Sequence, residues 1–281
     1  MDDSLPVAIR RPLGTAFRIP DFLLYFLQLW RCRQLLWHMT VRHLRGQYKQ
    51  SILGYAWTLV NPLTQMLILS FVFSIIVRVD SQGVPYPLFL LVGLLPWIFF
   101  SSAVASATDS VANGASLVTK VYFPREVLPI AAILTKVVDL GVGLLILVGL
   151  MVYHGHAPAW TVVWVPLLFL IHFVFTLGIS LPLAALNLYF HDVRYLVGVG
   201  LILWFYLTPV IYPVGMVPER YEILFDLNPN ALFINAYRRV LLTGISPGPE
   251  RLLLGIGIAL LVFLIGYYLF KRMEPNFADR I

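Results

Sequence analysis

Lys136 and Asp139 stand three residues apart inside an otherwise apolar run from 127 to 153, the kind of intramembrane pair that ion-coupled transport uses. Three residues apart on a helix is one face, so the two charges can also neutralise each other and brace neighbouring helices, which is the simpler reading. Glu219, Glu222 and Asp226 form a second group at spacings of three and four. Carboxylates near a membrane surface would suit transfer of sugar or phosphate from a lipid carrier, but the wet side of a surface helix explains them with less. His154 and His156 offer two metal ligands with no carboxylate nearby, too few for a site. None of Lys49, Lys120, Lys136 or Lys271 follows a glycine, so there is no phosphate loop and ATP cannot be held by that route. Gly178-Ile179-Ser180 lacks the glycine that would complete a nucleophile elbow, and no His-Glu-x-x-His occurs. The chain is expected to have no catalytic residue and to bind no metal or cofactor.

What the sequence has in abundance is aromatic surface. Trp57, Tyr86, Trp97, Phe99, Phe100, Trp204, Phe205, Tyr206 and Tyr212 fall at the ends of apolar runs or inside them. Interfacial belts account for most of these. The rings also suit sugar faces, which present C–H groups to a π cloud. Trp204, Phe205 and Tyr206 are consecutive, so their side chains diverge and at least one faces inward.

The elements that carry these residues are membrane spans. Of 281 residues 59% are hydrophobic and 12% charged, and mean hydropathy is +0.83. An ordinary soluble domain has about 25% charged residues. The net charge of +6 does not indicate nucleic acid, because the basic residues sit at span ends instead of forming one stripe. A single cysteine, Cys32, excludes an internal disulfide. No apolar core precedes Phe22, so a cleavable signal peptide is not expected. A spanning helix needs about 20 apolar residues. Six runs qualify, near 56–77, 87–108, 127–153, 160–190, 195–212 and 252–270. Fourteen Lys and Arg fall on one side of such a topology and five on the other, which places both termini in the cytoplasm. Pro62, Pro96, Pro166 and Pro182 interrupt three of the spans, and a freed carbonyl in a membrane must be satisfied by a neighbouring helix or by water.

Two stretches are neither span nor ordinary loop. Residues 21–52 interleave Arg31, Arg33, Arg42, Arg45 and Lys49 with Tyr25, Phe26, Trp30, Trp37 and Tyr48. From Leu36 the positions Leu36, Val41, Leu44, Tyr48 and Ile52 recur at roughly helical spacing, which predicts an amphipathic helix lying on the membrane surface. Residues 213–250 are too apolar for a solvated loop and too broken by proline to span. They read as a re-entrant outer pair, with helices over 219–226 and 231–243 and a stop at Gly244. The organisation is therefore an all-α integral membrane protein. A flexible extension covers 1–20, an interface segment 21–52, six spans 53–270 and a cytoplasmic tail 271–281.

The run from Arg45 to Trp57, Arg-Gly-Gln-Tyr-Lys-Gln-Ser-Ile-Leu-Gly-Tyr-Ala-Trp, followed by Asn61-Pro62, resembles the start of the first span in permeases of ABC-type polysaccharide exporters. The resemblance continues through Val84-Pro85-Tyr86-Pro87, Gly93-Leu94-Leu95-Pro96-Trp97, Lys120-Val121-Tyr122-Phe123-Pro124-Arg125 and Leu227-Asn228-Pro229. Together these are similar to the O-antigen, teichoic acid and capsule branch of the ABC-2 superfamily.

The resemblance implies a homodimer of six-span subunits in the bacterial inner membrane, working with two copies of a separate ATPase that uses ATP and Mg. It implies a polyprenyl-pyrophosphate-linked polysaccharide as the substrate. It assigns the segment with Trp30, Arg33 and Trp37 to an interface helix on the ATPase, and Lys120, Tyr122 and Arg125 to a coupling loop within 109–125. Trp57, Trp97, Trp204 and Tyr206 are then expected along the glycan passage, and Tyr212, Phe233 and Tyr237 at an outer gate. The alternatives are an ABC-2 permease for a drug or small lipid, a membrane transferase using Glu219, Glu222 and Asp226, and an ion-coupled flippase using Lys136 and Asp139.

Overall fold

The computed structural model describes residues 30, 32–47, 51–81, 83–115, 117, 123–221 and 227–277. All regular structure among them is helical, as α1 (Arg33–Gln47), α2 (Trp57–Ser70), α3 (Tyr86–Asn113), α4 (Val127–Tyr153), α5 (Val165–Tyr189), α6 (Val193–Tyr206), α7 (Pro229–Arg238) and α8 (Pro249–Met273). Short 3-10 and π turns extend several of these, notably Phe71–Ile76 after α2 and Arg239–Thr243 after α7. The extension 1–20 and the coupling residues Lys120 and Tyr122 lie outside the described residues.

Five segments are long and apolar enough to cross a membrane: Gly54–Ile76, Tyr86–Asn113, Val127–Tyr153, Trp160–Tyr189 and Pro249–Asn276. The sixth expected run, 195–212, differs. Its helix α6 has 14 residues and stops at Tyr206, a reach of about 21 Å against a hydrocarbon core of about 30 Å. The reason is Pro209, which has no N–H to continue the ladder. The chain turns over 207–210 instead, with the Val210 amide donating to the Thr208 carbonyl at 2.7 Å.

The bundle is organised around α3, most of whose residues are buried. Its neighbours are α4 and α5 along its length, α2 and α6 as outer flanks, and α7 across one end. Gly93 makes room for α7, since a Cβ there would stand 2.8 Å from the Arg238 guanidinium. Two helices remain largely uncovered. Only Pro62 and Met66 are buried on α2, and no residue is buried on α6.

The tightest contact joins α5 to α8. Pro182 removes the amide that would bond the Gly178 carbonyl, and Gly266 brings its backbone directly against that oxygen. Gly178 in turn faces the Phe263 backbone, with a would-be Cβ only 2.6 Å from its Cα. Small residues that let two helix backbones touch are the usual means of helix association in lipid.

The amphipathic segment forms α1, which packs beside the first three turns of α4. Cys32, Leu35, Leu36 and Met39 pack on Val127 and Ala131, and Gln47 at its far end reaches Lys136 and Asp139. Of the series Leu36, Val41, Leu44, Tyr48 and Ile52, Leu36 packs here and Val41 and Leu44 are half-buried, whereas Ile52 is fully exposed and Tyr48 lies outside the described residues; Met39 is buried beside them. Of the first outer helix, 219–226, the described part is a 3-10 turn, Glu219–Tyr221. The second forms where expected, as α7 and its π extension, and stops at Gly244 with φ 66.

Candidate functional site

At the α7 end of the bundle, buried polar groups tie the short helix α6 to the segment that follows it. Asn228 is the node. Its side chain accepts from the Asn230 amide at 3.1 Å, capping α7, and from Trp204 Nε1 at 2.9 Å. It donates to the Leu207 carbonyl at 3.1 Å and to Thr208 Oγ1 at 2.9 Å. An Asn-Pro start therefore both begins α7 and closes the end of α6. Asn228→Ala removes four hydrogen bonds and leaves Trp204 Nε1 unpaired. The expected loss is about 2 kcal/mol, read as a lower unfolding midpoint together with a shift in Trp204 fluorescence.

Arg238 completes the closure. Its guanidinium donates to the Pro209 and Val210 carbonyls at 2.6 and 2.5 Å and sits 3.7 Å from the centre of the Phe89 ring. The Tyr86 hydroxyl donates to the Ile211 carbonyl at 2.6 Å. Three consecutive carbonyls of non-helical chain are satisfied in this way, which is what lets irregular backbone exist inside a membrane protein. Behind them His172 stacks on Phe233, with ring centres 4.9 Å apart, and bonds the Asn230 side chain at 3.2 Å.

At the α1 end the charges belong to the ends of α4 and α8. Glu126 pairs with Lys271, which also bonds Glu274 at 2.8 Å. Burial pushes the Glu126 carboxyl up, the nearby Glu274 adds to this, and Lys271 opposes both. Arg125 donates to the Glu274 carbonyl and lies over the Phe277 ring. Between α1, α2 and α4 a polar cleft of about 130 Å³ is lined by Gln47, Trp57, Asn61, Lys136 and Asp139. Lys136 and Asp139 are 3.3 Å apart, and Lys136 donates to Gln47 at 2.9 Å. His43 on α1 is held below the ordinary imidazole value by burial and by the charges of Arg42 and Lys136.

Of the aromatic residues singled out from sequence, Trp97, Phe100, Trp204, Phe205 and Tyr206 form one linked cluster, which Trp57 does not join. Trp57 and Tyr206 are exposed. Trp204 is half-buried and held by Asn228. Trp97 is 6% exposed and packs against Phe100 and Phe205. Phe233 and Tyr237 are buried beside His172, while Tyr212 is half-buried and donates to the Tyr206 carbonyl at 2.8 Å. Trp30, just before α1, and Trp37 and Arg33 on it are exposed, and Arg33 lies over Trp30.

The sequence profile of the ABC-2 type transporter family matches residues 34–242. This chain belongs to the ABC-2 type transporter family. The curated O-antigen export system permease protein RfbA of Myxococcus xanthus is 32% identical to it over 257 residues, 90% of this chain and 98% of the relative. The protein of the same name from Klebsiella pneumoniae is 30% identical over 87% of this chain and 94% of its own. The polysialic acid transport protein KpsM of Escherichia coli is 22% identical over 83% and 91%. In this ABC-2 protein the matched region runs from α1 through the π turn after α7, which takes in Asn228, Arg238, Gln47, Lys136 and Glu126 but not Lys271 or Glu274.

Sequence reasoning missed the pairing of Gln47 with Lys136 and Asp139, the carbonyl clamp of Arg238, and the Glu126, Lys271 and Glu274 cluster. Apart from Lys271 with Glu274, these partners lie 28 to 145 positions from one another in the chain. Only the Asn228-Pro229 helix start carried a local signal.

Proposed function

We propose that this chain is the transmembrane subunit of an ATP-driven exporter of polyprenyl-linked surface polysaccharide across the bacterial inner membrane. The observation that carries the reading is the 32% identity over 90% of the chain to an O-antigen export permease. Two copies form the passage, each with one ATPase subunit that binds ATP and Mg. Both termini are cytoplasmic, so the α1 end faces the ATPase and the α7 end faces outward. The short helix α6 and its turn at 207–212 make the sixth crossing, and residues 213–250 re-enter from outside.

This assignment gives the uncovered helices a use. α2 and α6 flank α3, each packing one stripe on the core (Pro62, Met66 and Leu69; Val197, Leu201 and Phe205) and leaving much of the rest exposed, so their outward faces, with Trp57 and Tyr206, are where a second copy and the glycan meet the protein. Aromatic rings fit moving glycan because stacking is permissive of sugar identity. The exposed residues at the start of α1, Arg33 and Trp37 with Trp30 just before it, suit headgroups and the ATPase. A push on the loop that ends at Arg125 reaches the end of α8 through the Arg125 contact with Glu274.

Replacing Tyr122 and Arg125 by Ala together is expected to reduce both stimulation of the partner ATPase and export by several-fold while the subunit remains folded. Unchanged stimulation and export in that variant would remove the coupling role from this loop. Trp57→Ala with Tyr206→Ala is expected to slow export of long glycan more than it alters ATP hydrolysis, read as shortened or reduced surface polymer.

A further inference from the structure

Beside the Arg238 clamp lies a cavity of about 500 Å³, open at the α7 end and lined by Arg238, Arg239 and Arg251 together with Asn235. No described carboxylate lines it, and among the described residues none forms an ion pair with any of the three arginines. Arg238 is 7% exposed, and its Nε, like that of Arg239, is buried without a hydrogen-bond partner. Beyond the clamp, Arg239 makes one long contact, 3.4 Å to the Ser246 carbonyl. Ser81 and Thr243 add two hydroxyls to the lining, and an apolar side is made by Leu232, Leu242 and Leu254, the last 52% exposed on α8.

Guanidinium groups with free donors, converging on a cavity without a carboxylate, match the geometry of phosphate oxygens. An apolar wall continuous with a membrane-facing helix matches the first carbons of a lipid chain. We propose that this cavity binds the phosphorylated headgroup of a membrane lipid, with Arg239 and Arg251 as the main ligands and Arg238 as the inner wall. The same phosphate chemistry is carried by a polyprenyl diphosphate and by a glycerophospholipid. Placing the site on the outer side rests on the export reading above, but the binding does not.

The test uses the full-length chain purified in neutral detergent, titrated with farnesyl diphosphate, with short-chain phosphatidylglycerol and with inorganic pyrophosphate, and read as ligand-induced thermal stabilisation and affinity. At least one lipid probe is expected to bind the wild type. Arg239→Gln with Arg251→Gln should weaken it at least about tenfold, and the matching Lys variant should retain much of the binding. The unliganded unfolding midpoint of each variant reports whether it is folded. Tighter binding of farnesyl diphosphate assigns the site to the carrier, and tighter binding of phosphatidylglycerol to a phospholipid.

Equal affinity in a folded Gln variant overturns the proposal, as does a wild type that binds no phosphate probe. Pyrophosphate binding as tightly as both lipids reduces the cavity to a free-phosphate site and overturns the lipid assignment. Binding that emerges only after Glu222→Gln with Asp226→Asn gives the arginines to those carboxylates and also overturns it. Surface polysaccharide measured in the same variants keeps this test apart from the export reading, because binding of the purified chain needs no transport.

Discussion

Gly266→Ala is expected to prevent this permease from folding to a monodisperse species in detergent. A methyl group on Gly266 falls on the Gly178 carbonyl oxygen, which is backbone and cannot rotate away. Relief requires α8 to move off α5, opening the contact that also holds Phe263 against Gly178. Overpacking between side chains costs about 1–3 kcal/mol, and a backbone clash belongs at or above the top of that range. Gly257→Ala, on the same helix with no atom within 4 Å of its would-be Cβ, is the internal control. It is expected to be neutral or mildly stabilising, by up to about 1 kcal/mol, because Ala is the better helix former. Size-exclusion profiles and unfolding midpoints of the pair separate the effect of this contact from a general intolerance of alanine.

Arg238→Met is the second large effect expected. Methionine keeps much of the length but none of the donors, so the Pro209 and Val210 carbonyls lose both hydrogen bonds in a buried setting. At about 1–3 kcal/mol for each buried group left unsatisfied, the loss is roughly 2–6 kcal/mol. The turn after α6 should open first, so surface polysaccharide should fall even in cells where the protein still accumulates in the membrane. Arg238→Lys retains one compact cation, which cannot fork across two carbonyls, and should recover only part of the stability. An unfolding midpoint for Arg238→Met equal to the wild type would remove the clamp from the account.

How much of this was legible in the sequence follows from the range of each interaction. Span positions were readable because twenty apolar residues in a row declare themselves locally, and α7 was readable because Asn228, Pro229 and Gly244 are start and stop signals in the chain itself. The length of α6 was misjudged because hydropathy continues through Leu207 and Val210 while Pro209 ends the helix. The partner of α1 was not legible, because amphipathicity reports that one face is apolar, not whether lipid or a neighbouring helix covers it. Met39 and Leu35 find α4, and nothing within 33–47 names that partner. The Arg238 clamp was illegible for the same reason. An arginine pair on a short helix reads as solvated, and only the fold brings two bare carbonyls to Arg238 and a third to Tyr86.

Under the proposed function, the glycan passage needs a surface that one subunit does not complete. α2 and α6 each pack one stripe on the core and leave an apolar outward face exposed, where a soluble helix would carry polar residues. Trp97, expected on the passage, is enclosed between Phe100 and Phe205 and so supports the outer aromatic surface from behind. Trp57 and Tyr206 are the exposed rings that remain for contact with sugar.

The central claim is tested most directly by deleting the gene for this chain and measuring polysaccharide outside and inside the cell. Surface polymer is expected to disappear while lipid-linked polymer accumulates within, and both should revert when the intact chain is restored. Surface polymer at the parental level in the deletion strain would contradict the assignment and favour an ABC-2 permease with a smaller substrate.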